Sequence, residues 1–332
     1  MASPLPITTN VIRQHTVPYF LLKLFTGTGK RRRFWGFDKT RGRAYQTNPR
    51  DATVRNTFYN LDDHPERMSL EPLMAIYETD AAPVIHDLLA HRDIRRLSAD
   101  DRYRLAVFVA VQRARTYGEQ QRIHGFVQTL TNKIGAMGAS PDQSAEMLDF
   151  SPQRDARNLF LGQLVQQDSH IDHILAKDWY LCESTPDHPF YISDSPVVLH
   201  NDKTFGPYGN LGLALPGIQI YLPLSSTVTL AMFCPSIREE KMREKREIQI
   251  RMAYAPHTIP HGYNPFLRIA AADVFINHEL IKVEADQVMR FNSLQVRFSE
   301  QYIFCEKNDF LLVERMIADD PGFKSGMRIT FG

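Results

Sequence analysis

The residue pattern of this chain changes character near Asp178, and that change limits the folds open to it. Ahead of it, Leu73, Ile76, Tyr77, Val84 and Leu88 recur at helical spacing, and no proline interrupts the chain from Val84 to Ser140. Beyond it, WYLCES, PFYISDSP, IQIYLPLSS and TVTLAMFC are short β-rich runs set apart by proline and glycine. Helix-forming and strand-forming segments are sorted along the chain instead of alternating. That predicts an α+β fold and not a βαβ winding.

Local signals fill in the elements. Pro18 opens an apolar run from Tyr19 to Phe25, a short helix with Gln14 and His15 just before it. Residues 32–39 alternate, Thr40-Arg41-Gly42 is a turn, and Ala44 to Thr47 continues: an N-terminal β-hairpin, with Phe58-Tyr59 as a third short strand. Ser69 is an N-cap for a helix from Leu70 that Pro83 should kink. Ser98 and Asp101 start a long helix from about Ala99 to Ile134, with Gly118 or Gly125 as its place to kink. Residues 141–175 read as one or two more helices, and the β runs as one antiparallel or mixed sheet of about four strands. The charged stretch Ile237 to Met252 reads as a solvated helix, Phe266 to Phe298 as a long C-terminal helix, and Tyr302 to Cys305 as a last strand. The expected organisation is a single composite domain over 1–332: a segment with the hairpin (1–65), a helical block (66–176), and the sheet with C-terminal helices (177–332).

Composition excludes several classes. With 43% hydrophobic and 23% charged residues among 332, the chain can fill a core and is not globally disordered. A net charge of +1 gives no whole-protein attraction to nucleic acid or an anionic membrane, so any such attraction must be local. Cys182, Cys234 and Cys305 form no CxxC pair, which excludes a zinc ribbon and fits a reducing compartment. MASPLPITTN has no signal-peptide pattern, and no apolar run nears the roughly 20 residues of a membrane helix. The expectation is a cytoplasmic protein with no membrane partner. GxxxxGK[ST], GxGxxG and GxSxG are all missing, which argues against a P-loop NTPase, a Rossmann site and an α/β hydrolase.

Several pieces, taken in order, resemble a family found mainly in bacteria, domain of unknown function 4238. They are Gln14-His15-Thr16-Val17-Pro18-Tyr19-Phe20-Leu21, the aromatic hairpin around Trp35, Phe37 and Asp38, the Phe58-Tyr59 pair, Glu71 with Glu78, Gln112 with Arg115, Ser193-Asp194-Ser195-Pro196, and Asn277. The resemblance runs from about residue 12 to about residue 305; its order and spacing carry it, and residues 236–262 match nothing in it. The family implies no activity. It adds a set of polar positions that can gather in one place.

Each candidate has a chemical and a plainer reading. His15, at the mouth of a helix whose positive end favours anions, can act as acid or base near neutrality; alternatively Gln14 and His15 brace that helix. Glu71 and Glu78, almost two turns apart, share a face and can hold a divalent cation or divide acid and base roles; glutamates are also ordinary on surface helices. Gln112 and Arg115 share a face, and Arg115 can pair with Glu78, the simpler reading, or position an anionic substrate. Asp194 sits at a strand end, as a catalytic acid or as an Asx-turn. Arg31, Arg32 and Arg33 with Trp35 resemble a small nucleic-acid-binding hairpin; the alternative is an edge protected by charge, with its aromatics turned inward. His170 and His173 have metal-ligand spacing, but such pairs arise by chance among twelve histidines.

The resulting expectation is a hydrolase of nucleic-acid or nucleotide-derived bonds, in a bacterial defence or mobile-element setting. His15, Glu71, Glu78 and Asp194 would be catalytic, Gln14, Gln112, Arg115 and Asn277 would bind substrate, and a divalent metal is the candidate cofactor. The alternative is a non-catalytic binding or regulatory module in which the same cluster is a structural network.

Overall fold

Strand-forming sequence after Asp178 feeds two sheets, not one. The computed structural model describes residues 8–27, 33–61, 68–136, 152–205, 209 and 211–328, and its architecture is α+β. β1 (Arg13–His15) leads into α1 (Tyr19–Lys23). The hairpin follows as β2 (Phe34–Asp38) and β3 (Arg43–Thr47). Gly42 in its turn has φ +64°, a left-handed position that favours glycine. β4 (Val54–Asn56) returns to pair antiparallel with β1, so Gln14 and His15 lie on a strand. Phe58 and Tyr59 fall in a turn, and their rings fill a core with Leu73, Val111 and Phe160 instead of adding a strand.

α2 (Glu71–His91) begins where the Glu71 N–H donates to Ser69 Oγ at 3.2 Å, and Pro83 sits inside it without ending it. α3 (Ala99–Ala114) carries the Ser98–Asp101 capping box. The helix expected to reach Ile134 ends instead at Arg115, and a second one, α4 (Tyr117–Ala136), starts before Gly118 is reached. The cause is polar. Arg115 is drawn inward, and Thr116 Oγ accepts from the Glu119 N–H at 3.1 Å as a fresh cap. α5 (Pro152–Val165) and α6 (Asp168–Leu175) complete the helical block.

After them come β5 (Asp178–Glu183), β6 (Ile192–Ser193), β7 (Val198–His200), β8 (Gln219–Pro223) and β9 (Val228–Phe233). α7 (Pro235–Tyr254) is the charged helix expected there. The run from Phe266 to Phe298 is not one helix but α8 (Pro265–Ile276), β10 (Ile281–Lys282) and α9 (Ala285–Phe298). His278, at φ +52°, turns the chain there and stacks on Tyr180, with ring centroids 5.1 Å apart. β11 (Tyr302–Cys305) and α10 (Leu311–Asp319) follow.

One sheet has the order β10-β5-β9-β8-β7, antiparallel except for β10 alongside β5. The other has the order β3-β2-β11-β6 and is antiparallel throughout. β9 is buried on both faces. Val228, Leu230 and Met232 meet Phe108, Val109 and Leu22 in the main core, while Ala231 and Phe233 turn to Tyr180 and Val288. No helix among the described residues is long and apolar enough to cross a membrane.

Candidate functional site

Alternation along β1 exposes Arg13 and buries Gln14, whose amide is then obliged to find partners. Gln14 Oε1 accepts from the Tyr59 N–H at 2.7 Å, and its Nε2 donates to Val11 O at 3.0 Å and Asn60 Oδ1 at 2.9 Å. A second chain of bonds starts two residues on, at Thr16. Gln112 Nε2 donates to Thr16 O at 3.0 Å, Arg115 Nε donates to Gln112 Oε1 at 2.9 Å, and Arg115 Nη2 donates to Glu78 Oε1 at 2.7 Å. The Tyr59 hydroxyl donates to His15 O at 3.0 Å and ties the two chains together. Gln14, Gln112 and Arg115 are all buried, and this network joins β1 to α2 through the end of α3, with Glu78 partly exposed at its α2 end. The Arg115–Glu78 pairing expected from spacing is present.

Two members remain open. His15 Nε2 lies 3.0 Å from Pro49 O, and since a carbonyl only accepts, that nitrogen carries the proton. In the neutral ring Nδ1 then carries the lone pair, and it makes no hydrogen bond with the described residues. Burial pushes its pKa down, against the pull of Glu78. Glu71 is half-buried, and its carboxyl makes no hydrogen bond with the described residues. Burial pushes it up to about 7, with Arg115 opposing and Glu78 reinforcing. A neutral base and a carboxyl that holds its proton near neutrality thus share one ion pair as neighbour. Such a pair can move protons in either direction. Among the described residues, no group of three or more His, Cys, Asp and Glu is placed to hold a metal ion.

The sequence model of a family described as a protein of unknown function, DUF4238, matches residues 13–309. The chain belongs to DUF4238. Neither a curated protein nor a solved structure matches it. The DUF4238 match opens one residue before Gln14 and takes in every member of the cluster.

Other expected site residues of this DUF4238 chain lie apart. Asp194 belongs to a different cluster, where its carboxylate accepts the N–H groups of Glu300 at 2.8 Å, Gln301 at 2.7 Å and Tyr302 at 2.8 Å. Burial pushes that carboxyl up, and the three amides and Lys39 pull it back. Asn277 is exposed at the end of α8, where its Nδ2 donates to Glu279 Oε1 at 3.2 Å. Arg31 and Arg32 lie outside the described residues. Arg33 is exposed and donates to Gln46 Oε1 across the hairpin at 2.8 Å. Trp35 packs against the Phe37, Ile303 and Phe310 cluster, which leaves it a poor platform for stacking bases. His170 Nδ1 bonds Gln167 Oε1 at 2.9 Å and joins no metal-ligand group. Sequence reasoning missed Tyr59 as a hydrogen-bonding member, because the Phe58-Tyr59 pair read as strand. Ser69 and Asn60 gave no signal beyond capping and turn propensity.

Proposed function

We propose that this DUF4238 chain is a hydrolase of nucleic-acid or nucleotide-derived bonds, with His15 as general base and Glu71 as general acid. The reading rests on a contrast inside one cluster. Gln14, Gln112 and Arg115 are tied into hydrogen bonds, whereas Glu71 keeps a half-buried, unbonded carboxyl pushed up to about 7. A brace gains nothing from such a group, and an acid–base site needs one. In the reaction, water gives a proton to His15 Nδ1 as its oxygen attacks phosphorus, and Glu71 gives its proton to the departing oxygen. Arg115 and Glu78 set the charge around both groups.

The test is an assay of the full chain on nucleotides, cyclic phosphodiesters and single- and double-stranded nucleic acid, with Mg2+, Mn2+ or chelator. Turnover of at least one class is expected, with His15→Gln and Glu71→Gln each lowering kcat about 100-fold while both variants still fold. No turnover on the panel, or full activity in both variants, overturns the reading. The saturation of Gln14, Gln112 and Arg115 favours a second reading, a binding or regulatory module in which the network only fixes helix packing. Under it, no substrate on the panel is turned over, and both variants fold as the wild type does.

A further inference from the structure

Two residues before Arg115, and so on the opposite side of α3, Arg113 faces a cavity of about 130 Å3 that the acid–base cluster does not use. Thr116, Gly118, Arg122, Ser195 and Glu300 also line it. Its volume is roughly ten times what one water needs.

Donors in this cavity lack acceptors. Arg113 makes no hydrogen bond or ion pair with the described residues. Arg122 pairs with Glu119 through Nη2, but its Nε–H is buried with no partner. Ser195 is 9% exposed, and its hydroxyl makes no hydrogen bond with the described residues. Thr116 Oγ accepts from the Glu119 N–H at 3.1 Å, and its own proton goes to no acceptor among the described residues. The two carboxylates are already engaged. Glu119 takes Arg122 and also Gln163 Nε2 at 3.3 Å, while Glu300 takes Arg328 Nη1 at 2.8 Å and the Gly326 N–H at 3.2 Å. Arg113 is left with no direct hydrogen bond or ion pair among the described residues, beside the start of α4, where the helix dipole is also positive. Burial pushes its pKa down with Glu119 opposing, yet a guanidinium stays charged. Room is kept by Gly118, since a Cβ there would lie 3.0 Å from Ser195 Oγ. Asp194 fixes two walls at once, because it adjoins Ser195 and pins the Glu300 backbone.

An unpaired guanidinium and an unpaired buried N–H are both unfavourable, and a small oxyanion would satisfy them together. We propose that this cavity binds a tetrahedral oxyanion, phosphate or the phosphoryl group of a phosphomonoester, through Arg113, Arg122 Nε–H and the hydroxyls of Ser195 and Thr116. The site is separate from the acid–base cluster and does not depend on it.

Calorimetric titration of the full chain with inorganic phosphate, at constant ionic strength and with chloride as control, tests this. Saturable one-to-one binding is expected, weakened at least about tenfold by Arg113→Gln and about threefold by Ser195→Ala. Gly118→Ala, which narrows the cavity, should also weaken it. Adenosine 5′-monophosphate forms the second arm: tighter binding than phosphate identifies the phosphoryl end of a larger ligand, and equal or weaker binding identifies the free anion. No saturable binding of either probe, or equal affinity in wild type and Arg113→Gln, overturns the proposal. If Arg113→Gln does not fold, Ser195→Ala and Gly118→Ala decide by the same criterion. A chain that binds phosphate here but turns over no substrate keeps this site and loses the hydrolase reading.

Discussion

The clusters around Arg115 and around Asp194 are both buried and ionic, yet they are satisfied in different ways. At Asp194 the partners are backbone. Three amides point at one carboxylate, and the neighbouring Lys39 Nζ donates to Val296 O at 2.9 Å and Ser299 O at 2.7 Å. Nothing there can move without unpicking the chain, so the cluster locks the end of α9 to the start of β11. At Arg115 the central bonds join side chains to one another, and the two outer members, His15 and Glu71, keep unbonded atoms. Completeness of hydrogen bonding, more than charge or burial, separates a brace from a candidate site.

The sharpest way to break that comparison is Asp194→Ala. It strands three amide donors and takes the nearest carboxylate from Lys39, so a loss of about 3–5 kcal/mol is expected from urea unfolding. A loss below about 1 kcal/mol would mean that Asp194 is not the lock. Glu78→Ala comes next. It leaves the Arg115 guanidinium buried and unpaired, but Glu78 is 27% exposed, and the expected loss is about 2–3 kcal/mol. Glu78→Gln keeps an acceptor for Arg115 and should lose less. If Glu78→Ala proves more damaging than Asp194→Ala, the Arg115 cluster is the stronger brace and the assignment of roles reverses.

The segregation of helices and strands, the hairpin around Gly42, the Ser98 cap and the Arg115–Glu78 pair were all legible in sequence, because each depends on residues near one another or on simple spacing. Other features depend on distant partners. The helix break at Arg115 follows from Gln112, Glu78 and Tyr59 drawing that residue inward; Gly118 marked the neighbourhood in sequence but suggested a kink and not a break. The break after Ile276 follows from His278 stacking on Tyr180, almost a hundred positions earlier. In sequence Asp194, at a strand end, read as a catalytic acid or an Asx-turn, and His15, at the mouth of a helix, as an acid or base or a brace. What separates them is the 300–302 backbone, which no local pattern reveals. The Arg113 cavity was invisible for the same reason, since its walls come from α3, α4, the segment after β6 and the start of β11.

The smallest expected effect is a pH slope, and it bears most directly on the open members of the Arg115 cluster. Glu71 moves from its ordinary value of 4.5 to about 7 in the folded chain, so folding holds its proton more tightly. The stability this contributes is complete below pH 4.5 and is lost as pH rises to about 7. A fully buried group would contribute about 3 kcal/mol over that window, and Glu71's partial exposure cuts it to about 1–2 kcal/mol. His15 runs the other way. Its folded value is pushed below 6.5, so its contribution is complete above 6.5 and is lost as pH falls through the lower value. Unfolding midpoints of wild type, Glu71→Gln and His15→Gln, measured from about pH 5 to about pH 8, separate the two slopes. Glu71→Gln should remove the loss on the rising side and His15→Gln the loss on the falling side. A wild-type slope that survives Glu71→Gln would show that this carboxyl is not held protonated by the fold. The acid–base pairing would then fail, while the Asp194 lock would stand.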